Sequence, residues 1–355
     1  MTDRIPATII TGFLGSGKTT LIQNLLRQAG GKRIALIVNE FGDLGFDGEQ
    51  IAGCGIEGCA DEDVVELTNG CICCTVADDF LPTMEMLLAR DPAPDHIVIE
   101  TSGLALPQPL VQAFRWPSVA ARTTVDGVVT VADAEALAHG LYASEPEKID
   151  AQRAADDSID HETPLDELFA DQMRCADIVI LSKTDRVEEA DMAKVEAALH
   201  GRRSGVGTVR STEAGLPADV LIGLGSASEF DMAGREADHH HHHDDGDNDH
   251  HHHEHHHHDH DHDAFASIVI DPGTFESKQA LDAYLERLCE LPGVLRVKGV
   301  AEIAGKPAPV VVQAVGPRVV SWFDGSERTR KPGLVVIGLA PLPALPEAAL
   351  VESAA

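Results

Sequence analysis

The sequence predicts a doubly wound α/β domain with a mostly parallel sheet, followed by a smaller α+β domain. Three observations support this. Short runs rich in Val and Ile recur from Ala7 to Leu181, with helical patterns between them. These runs are continuously apolar, the habit of strands buried on both faces of a parallel sheet. After a low-complexity interruption, the remaining apolar runs surround a single helical pattern, as in an α+β unit.

In chain order, strands are expected at Ala7–Thr11, Arg33–Val38, His96–Ile99, Gly127–Val131 and Asp177–Leu181. The stretch Thr19–Gln28 places Leu21, Ile22, Leu25 and Leu26 on one helical face and stops at Gly30-Gly31. This first domain is expected to span residues 1–225. A linker, 226–263, begins with the polar stretch Ser226–Asp238. It continues through His239–His262, which holds 15 histidines and 7 acids. Such a tract cannot bury enough apolar surface to fold and is expected as a loop. It is internal and broken by acids, unlike a purification tag. Strands at Ala266–Ile270, Leu295–Ile303, Val310–Val315, Val319–Trp322 and Leu334–Leu339, with a helix near Phe275–Cys289, make the second domain, 264–345. A Pro/Ala-rich tail, 346–355, ends the chain.

Of the 355 residues, 43% are hydrophobic, which excludes wholesale disorder. The 27 basic and 59 acidic residues leave a net charge of −32. That charge repels nucleic acid and anionic membranes and suits a protein that collects cations. With two Trp and two Tyr there is no stacking platform for nucleic acid bases. No stretch approaches the roughly 18 apolar residues of a membrane span. The apolar run Ile5–Ile10 lacks the cationic flank and cleavage site of a secretion signal, so a cytoplasmic location is expected. Seven cysteines, three of them within four positions, point to metal or redox chemistry rather than a disulfide framework.

The run Gly12-Phe13-Leu14-Gly15-Ser16-Gly17-Lys18-Thr19 fits G-x-x-x-x-G-K-[ST] and lies between a buried strand and an amphipathic helix. This marks the first domain as a P-loop NTPase. Its glycines let backbone N–H groups converge on phosphate oxygens, and the helix N-terminus adds its positive dipole end. Gly12, Gly15, Ser16, Gly17, Lys18, Thr19 and Thr20 are therefore expected to hold the nucleotide. Lys18 reaches the β/γ-phosphates and the Thr19 hydroxyl holds Mg²⁺.

Ser182-Lys183-Thr184-Asp185 closes a strand and resembles the N-K-x-D box of GTPases, with Ser in place of Asn. A carboxylate at Asp185 would accept two hydrogen bonds from guanine, which adenine has no donor pair to match. Glu100-Thr101-Ser102-Gly103 follows another strand, where P-loop enzymes keep an acid near the metal and a glycine that senses the γ-phosphate. Glu100 is expected either to hold Mg²⁺ through water or to orient the attacking water. A plain helix-capping carboxylate is its structural alternative.

Cys71-Ile72-Cys73-Cys74 follows the turn signal Thr68-Asn69-Gly70. Thiolates at i, i+2 and i+3 can converge on one Zn²⁺ or Co²⁺ at about 2.3 Å per bond, leaving a coordination position open for release. A Cys71–Cys74 redox pair and buried structural thiols are the alternatives. Glu40, in Asn39-Glu40-Phe41-Gly42, is a candidate oxygen ligand on a switch that answers to the γ-phosphate. Cys54 and Cys59 are candidate auxiliary ligands. Cys175 and Cys289 sit in apolar contexts and read as core fillers, and His96, His139, His161 and His200 as isolated structural residues. The His/Asp tract reads as an ion reservoir, with a solvated acidic spacer as the alternative.

Taken together, these motifs resemble the CobW family of P-loop GTPases, which are metallochaperone-like proteins. The resemblance runs from Ile5 to about Gly225 and continues more weakly at Leu295-Arg296-Val297-Lys298-Gly299. It implies a GTPase that binds a divalent transition metal at Cys71, Cys73 and Cys74 and releases it on hydrolysis. The Cys54/Cys59 insert and Ala77-Asp78-Asp79-Phe80 are similar to the cobalamin-pathway branch, which implies Co²⁺ as cargo and a cobaltochelatase complex as partner. A zinc chaperone of the same family is the alternative. A GTP-gated metal sensor or storage module is a rival from another class, and an ATP kinase a distant third.

Overall fold

The computed structural model describes residues 4–39, 64–67, 80–144, 146–147, 149, 163–199, 202–212, 215–233, 235, 265–325 and 332–346. The first domain runs β1 (Ile5–Thr11), α1 (Lys18–Arg27), β2 (Ile34–Asn39), β3 (Val64–Leu67), α2 (Leu81–Leu88) and β4 (His96–Glu100). It continues with α3 (Pro107–Ala113), α4 (Pro117–Ala120), β5 (Thr123–Asp133), α5 (Ala134–Ala138) and α6 (Leu165–Cys175). Then come β6 (Ile178–Ser182), α7 (Glu189–Ala198), β7 (Gly207–Arg210) and α8 (Ala218–Leu221).

Seven strands form one sheet in the order β3-β2-β4-β1-β5-β6-β7, and each neighbouring pair is parallel. The continuous apolar runs are explained by helices on both faces. Ile9, Ile97 and Ile99 pack with Met84, Leu110 and Val119 on one side. Ile10, Val98 and Val129 pack with Leu21, Leu25 and Val220 on the other. All five strands expected from the sequence are present, with ends shifted by a few residues. The two the sequence did not reveal, β3 and β7, are four residues each and occupy the sheet edges. So short a run carries no readable periodicity.

The second domain holds β8 (Phe265–Ile270), β9 (Thr274–Phe275), α9 (Lys278–Cys289), β10 (Val294–Ile303), β11 (Val310–Val315), β12 (Arg318–Phe323) and β13 (Gly333–Leu339). Its sheet runs β12-β11-β10-β13-β8 with antiparallel pairing, and β9 adds a parallel pair to β10. Helix α9 buries Leu281, Leu285 and Leu288 against Val297, Val312 and Val336. Leu295 and Val315 reach out of this domain into the α1/α8 layer of the first. The Arg296 guanidinium donates to the carbonyls of Ile222 (3.3 Å) and Asp219 (3.4 Å).

The polar stretch from Ser226, expected to open the linker, packs onto the parallel sheet at least as far as Arg235. Glu229 accepts from the Thr124 hydroxyl at 2.6 Å and the Val125 N–H at 3.0 Å. Arg235 is fully buried and pairs with Asp177 at 2.5 Å. Its residues look like linker because they are polar, yet Ser228, Glu229 and Arg235 each meet a partner in the parallel-sheet domain. Among the described residues, no helix is long and apolar enough to cross a membrane.

Candidate functional site

The C-terminal ends of β4, β1, β5 and β6 lie side by side, and the strand order reverses at β1, with β2, β3 and β4 on one side of it and β5, β6 and β7 on the other. Open α/β sheets bind ligands outside such strand ends, at the switch in strand order. Beyond Thr11 the chain turns through Gly12-Phe13-Leu14-Gly15-Ser16-Gly17 into α1. Gly12 has φ 141°, and a Cβ there would lie 2.1 Å from the Val131 carbonyl oxygen, so only glycine fits. A Cβ on Gly15, at φ 74°, would point into open space. Phe13 is buried, its ring 5.8 Å from that of Phe169 and 6.0 Å from that of Tyr142, which pins the loop from below.

Helix α1 begins on Gly17 (φ 95°) with no side-chain cap. The Ser16 hydroxyl oxygen is buried with no hydrogen-bond partner among the described residues. Lys18 is also buried, its ammonium donating to the carbonyls of Gly12 (2.8 Å) and Phe13 (3.2 Å). A glycine-shaped hollow, uncapped N–H groups, a buried hydroxyl and an ammonium together suit a phosphate chain.

Glu100 ends β4 almost fully buried, and its Oε1 accepts from the Thr19 hydroxyl at 3.3 Å. These two hard oxygens, from α1 and β4, fit a Mg²⁺ ion beside the loop. The strand ends are laced together by the Thr101 hydroxyl, which donates to that of Thr11 at 2.9 Å. Gly103 abuts the phosphate loop so closely that a Cβ would sit 2.7 Å from the Leu14 nitrogen. From α6, the Gln172 amide donates to the carbonyls of Gly103 (3.1 Å) and Ala105 (3.0 Å). Sequence reasoning missed Gln172, because a single glutamine in an amphipathic helix gives no sign that it is buried.

On the other side, a cavity of about 330 Å³ is lined by Gly17, Thr20, Asn24, Ser182, Lys183 and Ser211, among others. The Ser182 hydroxyl donates to the Ser16 carbonyl at 2.6 Å, tying the strand end to the phosphate loop. Lys183 has φ 56° and its ammonium meets the Asp133 carboxylate at 2.5 Å. The Thr184 hydroxyl donates to the Ser211 carbonyl at 3.2 Å. Asp185 lies exposed on the turn Thr184–Arg186 and is not one of the residues lining the cavity. Asp133 and Ser211 were not singled out from the sequence. Asp133 did carry a signal, an acid at the end of an apolar run that also caps α5 at the Ala136 N–H. Ser211 follows the unread strand β7 and carried none.

Glu40, Cys54, Cys59, Cys71, Cys73, Cys74, His161, His200 and the tract His239–His262 lie outside the described residues. Among the described residues, no three His, Cys, Asp or Glu side chains cluster to hold a metal ion. Cys175 and Cys289 are buried thiols, their pKa pushed by burial up to about 11 and about 12. His96 is buried beside the Thr8 hydroxyl at 2.9 Å, and burial lowers its pKa despite the Asp126 charge nearby.

Residues 6–209 match the family described as "CobW/HypB/UreG, nucleotide-binding domain", and residues 265–353 match the "Cobalamin synthesis protein cobW C-terminal domain". A Sinorhizobium protein named "Zinc chaperone CobW" is 48% identical over 340 residues, covering 95% of this chain and 93% of its own. A Pseudomonas aeruginosa protein of the same name is 47% identical over 343 residues, covering 94% and 88%. Among solved structures, the Zn(II)-bound YjiA GTPase from E. coli aligns with 97% of this chain and 96% of its own at 22% identity, with a TM-score of 0.41. The chain therefore belongs to the CobW/HypB/UreG family and is a GTPase, its nucleotide-binding domain followed by a CobW C-terminal domain.

Proposed function

We propose that this GTPase is a metallochaperone whose cargo is zinc, held by Cys71, Cys73 and Cys74 and released when GTP is hydrolysed. The observation that carries this reading is the 48% identity, along 95% of the chain, to a protein named a zinc chaperone. The ligand chemistry points the same way. Three thiolates suit Zn²⁺, and such a site cannot prefer Co²⁺ by strength alone, since Zn²⁺ competes well in thiolate-rich surroundings. Cobalt delivery to a cobaltochelatase, expected from the Cys54/Cys59 insert, becomes the second reading and requires a cell that buffers zinc more tightly than cobalt.

In this reading the hollow formed by Gly12, Gly15, Ser16, Gly17 and Thr20 holds the phosphates. The Lys18 ammonium leaves the Gly12 and Phe13 carbonyls for the β- and γ-phosphate oxygens. Thr19 would hold Mg²⁺, which would offset the charge of the phosphates, and Glu100 would either hold that ion through water or orient the attacking water. Gly103 reports the γ-phosphate to the loop after β4. Ser182, Lys183 and Asp185 select guanine, the last after a movement of its exposed turn. Glu40 completes the metal site on a switch ordered by the γ-phosphate.

The γ-phosphate must then favour the metal-competent state. A roughly 10⁴-fold difference in metal affinity corresponds to about 5.5 kcal/mol. By reciprocity, zinc tightens GTP by the same factor. Zinc titrated against a competing chelator, in the GTP-analogue and GDP forms, tests this. Tighter binding in the analogue form supports the reading, and equal affinities refute it. Repeating the competition with buffered Co²⁺ and Zn²⁺ separates the two cargoes.

A further inference from the structure

At the end of the parallel sheet opposite the phosphate loop, a cavity of about 660 Å³ is lined by Arg4, Arg33, Arg122 and Asp95. Asp95 is engaged by Arg33 at 2.6 Å. Arg4 and Arg122 are exposed, and neither has a carboxylate partner among the described residues. A surplus of cationic side chains around one hollow is unexpected in a chain of net charge −32. Charge balance alone would give each arginine an acid.

The sequence also supplies an acidic segment, and the described chain that leads to it passes beside this hollow. The Arg4 guanidinium stacks 5.9 Å over the ring of Phe230, which is 60% exposed. Five residues further on, Arg235 is anchored to Asp177, and Glu236 follows it directly. From His239 to His262 the chain then carries 7 acids, 15 histidines and no Lys or Arg. With neutral imidazoles that tract bears −7. A tethered partner acts at an effective concentration of about millimolar, enough for exposed ion pairs too weak to hold a free peptide.

We infer that the hollow lined by Arg4 and Arg122 is the docking surface for this chain's own metal-free His/Asp tract. Its carboxylates occupy the two guanidinium groups. Four bound divalent ions would turn the tract from −7 to +1 and remove the attraction, so metal loading frees it. Metal occupancy is thereby converted into the accessibility of a loop. This goes beyond the zinc-delivery reading and depends on metal binding by the tract only in its metal arm.

The test is arginine footprinting of the full chain with a glyoxal reagent, read by peptide mass spectrometry. Arg287, exposed and stacked over the Tyr284 ring, serves as the reference. In the metal-free protein at low salt, Arg4 and Arg122 should react at least about threefold more slowly than in 0.5 M NaCl, where exposed charges are screened. A variant with Asp244, Asp245, Asp247, Asp249, Asp259 and Asp261 changed to Asn keeps every histidine. It should show the fast rate at low salt. Added zinc should speed labelling in the natural chain and leave that variant unchanged. Equal rates in the natural chain and the Asn variant overturn the proposal, as does protection that disappears on dilution, which would mean docking between copies. Failure of the zinc arm alone refutes release by metal, whatever the outcome for delivery at Cys71, Cys73 and Cys74.

Discussion

Replacing Arg235 by alanine should cost this protein about 3 kcal/mol of stability at neutral pH, and the loss should shrink on acidification. Asp177 is buried and receives five donors from four residues. Arg235 Nη2 lies at 2.5 Å, Arg235 Nη1 at 3.4 Å, the Ser228 hydroxyl at 2.6 Å, the Val128 N–H at 2.9 Å and Arg203 at 3.5 Å. Burial alone would raise the Asp177 pKa, but the Arg235 charge and hydrogen bonds more than offset it and hold it below the usual carboxylate range. Removing one partner of a buried pair costs about 3–5 kcal/mol. The lower end applies because Ser228, Val128 and Arg203 remain. The pH dependence has opposite signs in the two proteins. In the natural chain the folded pKa is depressed, so the contribution of Asp177 is present above its unfolded pKa of about 3.9 and is lost as pH falls through the folded value. In Arg235→Ala the largest lowering influences on Asp177 are gone and burial, which raises its pKa, is expected to prevail in the folded state. The penalty is then full at pH 7 and relieved as the carboxyl takes up a proton in the folded state. Urea denaturation at pH 7 and pH 5 measures the relief in the variant, and the contribution of Asp177 in the natural chain should be the same at both values. The apolar pair Arg235→Met with Asp177→Leu removes the uncompensated charge but orphans the Val128 N–H and the Ser228 hydroxyl, so it should recover only part of the loss. A cost under about 1 kcal/mol, or one independent of pH, would refute the reasoning.

Gly103→Ala should slow GTP hydrolysis by at least about tenfold, since its Cβ would meet the Leu14 backbone and displace the phosphate loop by tenths of an ångström. Single-turnover hydrolysis checks this, and an unchanged rate would show that the contact relaxes elsewhere. Cys175 and Cys289, with thiol pKa values of about 11 and about 12, should stay unlabelled by a disulfide reagent at pH 8 in the native chain and react fully in denaturant. Peptide mapping reads the outcome, and native labelling at either position would contradict its burial.

The parts of the fold legible in the sequence are those where one signal dominates. The central strands announce themselves because burial on both faces leaves no polar interruption, as in the fully buried His96–Glu100. Helix α9 is readable from its spacing, although its start lies three residues later than expected, where Ser277 caps it through the Ala280 N–H. Strands β3 and β7 were unreadable because four residues at a sheet edge show neither a long apolar run nor sustained alternation. The packing of Ser226–Arg235 was unreadable for a different reason. A polar sequence that satisfies its hydrogen bonds inside the protein has the same composition as one that satisfies them in water. Only the positions of Asp177, Thr124 and Val125 decide between the two, and they lie about 50 to 105 residues away in the chain.

The candidate site shows why motif letters are readable and also why they mislead. Ser182 stands where the N-K-x-D box has asparagine. In the fold its hydroxyl donates to the Ser16 carbonyl of the phosphate loop at 2.6 Å and approaches the Ala132 carbonyl at 3.2 Å. What that position supplies is a donor reaching across from β6 to the loop after β1, and a hydroxyl does so as well as an amide when the backbones are close enough. A Cβ on Gly17 would only touch the Ser182 Cβ at 3.8 Å, so it is the φ of 95° rather than the spacing that calls for glycine there. The chemistry at a position is therefore set by the distance to be bridged, and the residue type follows from it. Reading sequence to structure, the letter is seen first and the distance last, so Lys18, Thr19 and Glu100 could be picked out while Ser211 and Gln172 could not. The first three belong to motifs with fixed spacing, whereas the last two are defined only by what the fold brings against them.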